Sequence, residues 1–183
     1  MKPVKTVIAI AGMPGSGKAV ASGVARERSI PVFVCGDVVR EEASSRKLPP
    51  SPENLGSLML KMREEEGPDV MVRRLLPRIG MASSGHIVVE GLRSLDEYES
   101  LKKRFKTRLL AIHAPPEQRF QRLLRRGRSD DPKNATDFSR RDHRELNLGV
   151  GSVIALAEHL LVNDSTIESF KLKLKRLYEE ILS

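Results

Sequence analysis

The continuous apolar run Val7-Ile8-Ala9-Ile10-Ala11 passes directly into Gly12-Met13-Pro14-Gly15-Ser16-Gly17-Lys18. A short run with no polar alternation reads as a strand buried on both faces. The glycines let the backbone turn tightly and aim successive N–H groups at one concavity. Lys18 adds a full positive charge, and a helix beginning there adds the positive end of its dipole. Strand, glycine turn, lysine and helix in that order make a phosphate-binding loop for a nucleoside triphosphate. Gly12, Met13, Pro14, Gly15, Ser16, Gly17, Lys18 and Ala19 are therefore the candidate nucleotide-binding residues, for ATP or GTP. A plain glycine turn would leave the Gly-x-Gly-Lys spacing without a reason.

The motif normally continues with Ser or Thr, whose hydroxyl binds Mg²⁺. Here stand Ala19 and Val20, and neither can ligate a metal. Any Mg²⁺ must be held by phosphate oxygens, waters and a carboxylate elsewhere, an arrangement that suits an ion reluctant to give up its waters.

The remaining sequence bounds the context. A chain of 183 residues can bury one full core, so one domain over 1–183 is expected. No stretch of 18 apolar residues offers a membrane span, and the N-terminus lacks the apolar region of a signal peptide. A lone cysteine, Cys35, excludes an internal disulfide and points to the cytoplasm. The net charge of +8 fits either nucleic acid or small polyanions. Two features favour the small polyanions. The arginines cluster, at Arg119, Arg122, Arg125, Arg126 and Arg128 and again at Arg140, Arg141 and Arg144, and aromatics make up only 4% of the chain, too few for base-stacking platforms.

Strands are expected at Val4–Ala11, Ile30–Cys35, His86–Glu90, Arg108–His113 and His159–Val162. Helices are expected after Lys18, Asp37, Asn54, Asp69, Ser94, Pro115, Asp137 and Ser165. The last carries an apolar stripe of Ile167, Phe170, Leu174, Leu177 and Ile181. Apolar strands separated by helices argue for an α/β fold of three layers, a parallel sheet covered on both faces, with ligands at the carboxyl ends of the strands. Leu48-Pro49-Pro50-Ser51-Pro52 reads as a hinge. The polar stretch 129–136 between the arginine clusters reads as a mobile loop, which a closing lid requires. The four histidines are scattered and have no metal-ligand spacing.

Three further constellations sit at expected strand or helix ends. Gly36-Asp37-Val38-Val39-Arg40 resembles the acceptor-binding turn of nucleoside monophosphate kinases, which implies Arg40 on an acceptor phosphate and Asp37 near the transfer site. By itself the pattern reads equally as a capping aspartate with an i,i+3 ion pair. Ile87-Val88-Val89-Glu90-Gly91-Leu92-Arg93 ends an apolar strand on a carboxylate. P-loop proteins place an acid there to orient Mg²⁺ through water, so Glu90 is the candidate metal residue and Arg93 a candidate phosphate clamp. Arg122-Leu123-Leu124-Arg125-Arg126 resembles the start of the lid in adenylate and dephospho-coenzyme A kinases. That resemblance implies Arg122 and Arg126 over the donor nucleotide, with Arg140 and Arg141 on the far arm of a lid spanning 122–145. The alternative is a solvated basic face. Asn163-Asp164-Ser165 resembles the turn that meets adenine in dephospho-coenzyme A kinases, placing Asn163 near the base.

Taken over the whole chain, these motifs are similar to an archaeal family of P-loop proteins related to dephospho-coenzyme A kinase and adenylate kinase. The resemblance implies a five-stranded parallel sheet of order 2-3-1-4-5. It also implies transfer of the γ-phosphoryl group of ATP to a nucleoside monophosphate or dephospho-coenzyme A, with Mg²⁺. Adenylate kinases carry glycine where Ala19 stands, so the missing hydroxyl does not exclude phosphoryl transfer. Lys18, Asp37, Arg122 and Arg126 become the candidate catalytic residues, and Asp37, Arg40, Arg93, Arg140 and Arg141 the candidate acceptor-binding residues. Ala19 and the sequence pI of about 9.9 also fit a second reading, a nucleotide-binding switch or RNA-associated factor with little transferase activity. Affinity for RNA that falls steeply with salt would favour it. The oligomeric state is left open.

Overall fold

From Val7 to Ala11 no side chain of the first strand keeps any solvent exposure. A strand with no polar face must be covered on both sides, and the computed structural model, which describes residues 5–182, shows the covering. The strands are β1 (Thr6–Ala11), β2 (Val32–Val34), β3 (His86–Leu92), β4 (Lys106–His113) and β5 (His159–Val162). They form one parallel sheet in the order β2-β3-β1-β4-β5, as the family resemblance implies. Val4, with which the first strand was expected to begin, lies outside the described residues.

The helices are α1 (Lys18–Glu27), α2 (Cys35–Ser45), α3 (Pro52–Glu66), α4 (Val70–Met81), α5 (Leu95–Lys102), α6 (Pro116–Arg126), α7 (Ala135–Asn147), α8 (Val150–Ala155) and α9 (Ile167–Leu182). Alternation along β1 divides them into two layers. Val7, Ala9 and Ala11 pack with Ile87, Val89 and Leu109 against α2, α3, α4, α5 and α8. Ile8 and Ile10 pack with Val88, Leu110 and Ile112 against α1 and α9. Neither core includes a residue of α6 or α7. These two helices span most of the segment read as a lid; Phe120 of α6 and Phe138 of α7 meet ring to ring at 5.1 Å, and polar contacts tie them to the rest.

Beyond shifts of a few residues at element ends, some local features differ from expectation. The second strand is cut to Val32–Val34, and α2 starts at Cys35, so Asp37 is the third helical residue and not a cap. Cys35 is fully buried as a free thiol, which burial pushes well above its ordinary pKa. The short helix α8 falls outside the expected helices; it follows Gly149 in the left-handed region and buries Val150 and Val153, one turn apart. On α9, Tyr178 joins Phe170, Leu174 and Leu177 in the core and donates from its hydroxyl to the Ala21 carbonyl at 2.9 Å, whereas Ile167 is half exposed. No helix among the described residues is long and apolar enough to cross a membrane.

Candidate functional site

The carboxyl ends of β1, β2 and β3 open into a cleft of about 560 Å³, floored by the glycine loop and walled by α2, α6 and α7. The loop is held open by what its glycines lack. Gly15 has φ +79°, and a Cβ there would stand 2.7 Å from the Arg119 carbonyl oxygen. Gly17 has φ +111° and would drive a Cβ into the Asn163 amide. Gly17 also precedes the first turn of α1, which has no side-chain cap and no acidic residue. That turn therefore keeps its orphan N–H groups and positive dipole end directed at the loop.

Lys18 follows at the head of α1. Its ammonium donates to the Gly12 carbonyl at 2.5 Å and the Met13 carbonyl at 3.0 Å, closing the loop on itself. Burial lowers its pKa from 10.5 to about 8; Glu90 opposes the shift and Arg93 adds to it. A lysine taken out of water without a full ion pair favours whatever anion restores its charge.

Glu90 reaches the cleft through a break in register. Ile10 pairs with Glu90 but Ala11 with Leu92, so Gly91 is the extra residue of a bulge, with φ +95°. Such bulges re-aim side chains beside sites. The Ser22 hydroxyl, fully buried one turn after Lys18, donates to the Glu90 carboxylate. The Ser22 contact was not anticipated. Its signal was the i,i+4 spacing from Lys18, which puts both residues on one face of α1.

The cationic wall is more heavily paired than a solvated basic face would be. Arg93 donates to Glu145 of α7, which is nearly fully buried. Burial works against the charge of Arg93, but Glu145 outweighs it and raises the pKa; Arg93 in turn holds the buried Glu145 carboxyl below its usual range. Arg126 grips Asp131 at 2.8 and 2.5 Å, and Arg141 reaches the same carboxylate at 3.3 Å. Arg40 lies 2.9 Å from Asp37 and 3.5 Å from Asp130. Arg122 donates to the Asn163 carbonyl at 3.0 Å and to Gln118 at 3.1 Å, and burial lowers its pKa with Arg125 beside it. The polar loop after α6 is thus pinned by Asp130 and Asp131 to three arginines of the cleft.

Most residues singled out in the sequence meet in this cleft: Lys18, Ala19, Asp37, Arg40, Glu90, Arg93, Arg122, Arg126, Arg141 and Asn163. Three do not line it. Met13 contributes its carbonyl to Lys18, Ser16 is fully buried beneath the loop, and Arg140 points away, pairing with Asp137 at 2.9 Å. Asn163 is a strap as well as a lining residue, its amide donating to the Ser16 carbonyl at 2.8 Å. No cluster of three His, Cys, Asp or Glu able to hold a metal occurs among the described residues.

Comparison with known proteins agrees with this architecture. The model of a family described as AAA domain matches residues 11–139. The chain is 46% identical over 177 residues to the UPF0200 protein of Hyperthermus butylicus, covering 97% of this chain and 95% of that one. It is 42% identical over 182 residues to the UPF0200 protein PH1008 of Pyrococcus horikoshii, covering 97% and 98%. In fold it is similar to the crystal structure of TT1252 from Thermus thermophilus, with TM-score 0.67 and 20% identity over 97% of this chain and 98% of that one. It is likewise similar to shikimate kinase from Bacteroides thetaiotaomicron, with TM-score 0.64 and 16% identity over 95% and 98%. Identities of 46% and 42% over almost the full length of these relatives place this chain in the UPF0200 family.

Proposed function

We propose that the chain is a small-molecule kinase that moves the γ-phosphoryl group of ATP to a nucleotide-like acceptor. The observation that carries this reading is the juxtaposition, in one cleft, of a glycine loop with a half-buried lysine and a ring of arginines drawn from α2, α6, α7 and the residue after β3. Phosphoryl transfer needs little covalent help from the protein. It needs in-line positioning and cations where charge is spread over equatorial oxygens. Lys18 and the loop amides hold the β- and γ-phosphates, and Arg122 and Arg126 lie along the donor. Arg40, Arg93 and Arg141 face the acceptor. Asp37 accepts a proton if the acceptor oxygen is a hydroxyl. A phosphate acceptor is already ionised and needs no base.

The residues present fit Mg²⁺ only in outer-sphere form. Ala19 lines the cleft and offers no ligand, and Glu90, steadied by Ser22, is the acid placed to accept hydrogen bonds from metal-bound water. When bound, the ion screens the phosphates and draws charge from the bridging oxygens. Ala19→Ser should return a hydroxyl to this position and tighten Mg²⁺ or raise turnover by about 1–2 kcal/mol, the scale of one polar contact replacing a water. A Mg²⁺ titration of initial rates measures it. No change would mean that the site works without a protein ligand there.

Lys18 also sets a pH dependence. Its pKa in the free protein is near 8, and phosphates that stabilise the ammonium must raise it. Below pH 8 the lysine is charged before and after binding, and affinity is at its full value. As pH rises above 8, binding must take up a proton, and affinity falls by up to about tenfold per unit until the pKa of the complex is reached. Calorimetric titration of ATP from pH 7 to 9.5 in buffers of different ionisation enthalpy reads both the fall and the proton uptake.

The reading is tested with nucleoside monophosphates and dephospho-coenzyme A, each with ATP and with GTP. Phosphorylation of one of them is the expected result. A chain that binds ATP and turns over none of them is not this kinase.

A further inference from the structure

Beside the cleft lies a smaller depression, between α2, α3 and α7, which shares Arg40, Arg93 and Arg141 with it and adds Arg144. Each of the first three arginines has a carboxylate within ion-pair distance. Among the described residues Arg144 has none, and no side-chain hydrogen bond satisfies it; its Nε is buried without a partner. Burial lowers its pKa, and of the charges that reach it Glu145 opposes the shift while Arg141, Arg93 and Arg140 add to it. A guanidinium held half out of water among like charges costs stability unless an anion joins it.

Space has been made for it. Gly56, inside α3, meets Arg144 so closely that a Cβ there would overlap the guanidinium. Glycine within a helix is unfavourable relative to alanine. Here it lets the guanidinium lie against the backbone of α3. The opposite wall is apolar, with Val39, Leu55 and Met59. Arg40, Arg93 and Arg141 each share their charge with a carboxylate, so the positive charge left over for an anion is that of Arg144, with three guanidinium groups beside it placed to share an anion's further oxygens.

Resting on the kinase reading above, we propose that Arg144 is a specificity-determining residue that selects an acceptor bearing a phosphate monoester, whose dianion it binds over Gly56. A monocarboxylate or an uncharged nucleoside lacks the second charge and the third oxygen that this set of guanidinium groups can hold.

The test is calorimetric titration of the whole chain with AMP, adenosine, shikimate and ATP, in the wild type, Arg144→Gln, Arg144→Lys and Gly56→Ala, with a thermal melt of each. AMP should bind to the wild type at least tenfold more tightly than to Arg144→Gln or Gly56→Ala, with Arg144→Lys between them. ATP affinity should be unchanged, and neither the glutamine nor the alanine variant should melt earlier than the wild type. A structural arginine would instead lower the melting temperature on replacement. Equal AMP affinity in wild type and Arg144→Gln overturns the proposal and leaves the kinase reading standing. So does a wild type that binds ATP but not AMP, or that binds shikimate in an Arg144-dependent way. Failure of the wild type to bind ATP removes the kinase reading, and this proposal with it.

Discussion

Lys18→Met should abolish measurable ATP binding while leaving the fold intact. Among the described residues it is the only lysine lining the cleft, and its ammonium closes the loop through the Gly12 and Met13 carbonyls. Removing a preorganised donor aimed at phosphate charge costs about 10²–10³-fold in a water-poor site, and affinity for the triphosphate should fall by at least that. Stability should move the other way. Burial lowers the pKa of Lys18 to about 8, so the folded state carries a penalty for the charged form at neutral pH. That penalty fades as pH rises from 8 towards the unfolded value of 10.5. Methionine has nearly the same length and no charge to desolvate, so the variant should melt no earlier than the wild type at pH 7. Equilibrium dialysis with ATP and a calorimetric melt read the two effects separately. Undiminished ATP binding in Lys18→Met would end the phosphate-loop reading.

The divergence of binding from stability reflects which parts of the molecule were legible in the sequence. Val7 to Ala11 is apolar at every position because both faces of β1 are covered, and this needs no tertiary knowledge to read. The glycine loop was legible for a similar reason: few other functions require a strand, three glycines and a lysine in that order. Strand order is different, since apolar runs do not say which neighbour each strand takes. The order 2-3-1-4-5 came from the family resemblance, and the sheet agrees with it.

Pairing was the least legible feature. The arginines between 119 and 144 could be counted in the sequence, but their carboxylates come from distant places. Glu145 meets Arg93 across 52 positions, and Asp130 meets Arg40 across 90. Local spacing predicts only contacts such as Arg40 with Asp37 or Arg140 with Asp137, at i,i+3. For the same reason Arg140 looked as well placed for an acceptor as Arg141. Adjacent helical positions differ by about 100° around the axis, and a small rotation of α7 decides which one faces the cleft. Arg119 shows the limit most plainly. It was visible as one member of a basic helix face, yet it is 4% exposed, more deeply buried than any other arginine of its cluster.

That burial makes Arg119→Ala the variant expected to cost most in stability. The guanidinium donates to the Ala114 carbonyl at 3.2 Å, to the Pro14 carbonyl of the glycine loop at 3.1 Å, and to both oxygens of Asp142 at 2.9 and 2.6 Å. It also lies 5.0 Å from the centre of the Phe138 ring. Four hydrogen bonds therefore tie the end of β4, the loop and α7 to one side chain. Removing one partner of such a buried pair leaves the other charged and unsatisfied, which costs about 3–5 kcal/mol. Arg119→Lys should recover little, because one ammonium cannot span a carboxylate edge and two carbonyls in different directions. The double variant Arg119→Met with Asp142→Leu should be more stable than Arg119→Ala, since it strands no charge. It should still bind ATP more weakly than the wild type, because the Pro14 carbonyl loses its donor and α7 its link to the loop. Urea unfolding of the single variants and the pair, with ATP titrations alongside, separates the two consequences. A loss below 1 kcal/mol for Arg119→Ala would show that α7 stands without this anchor. It would then be held beside the cleft by Glu145 on Arg93 and by Arg141 on Asp130 and Asp131.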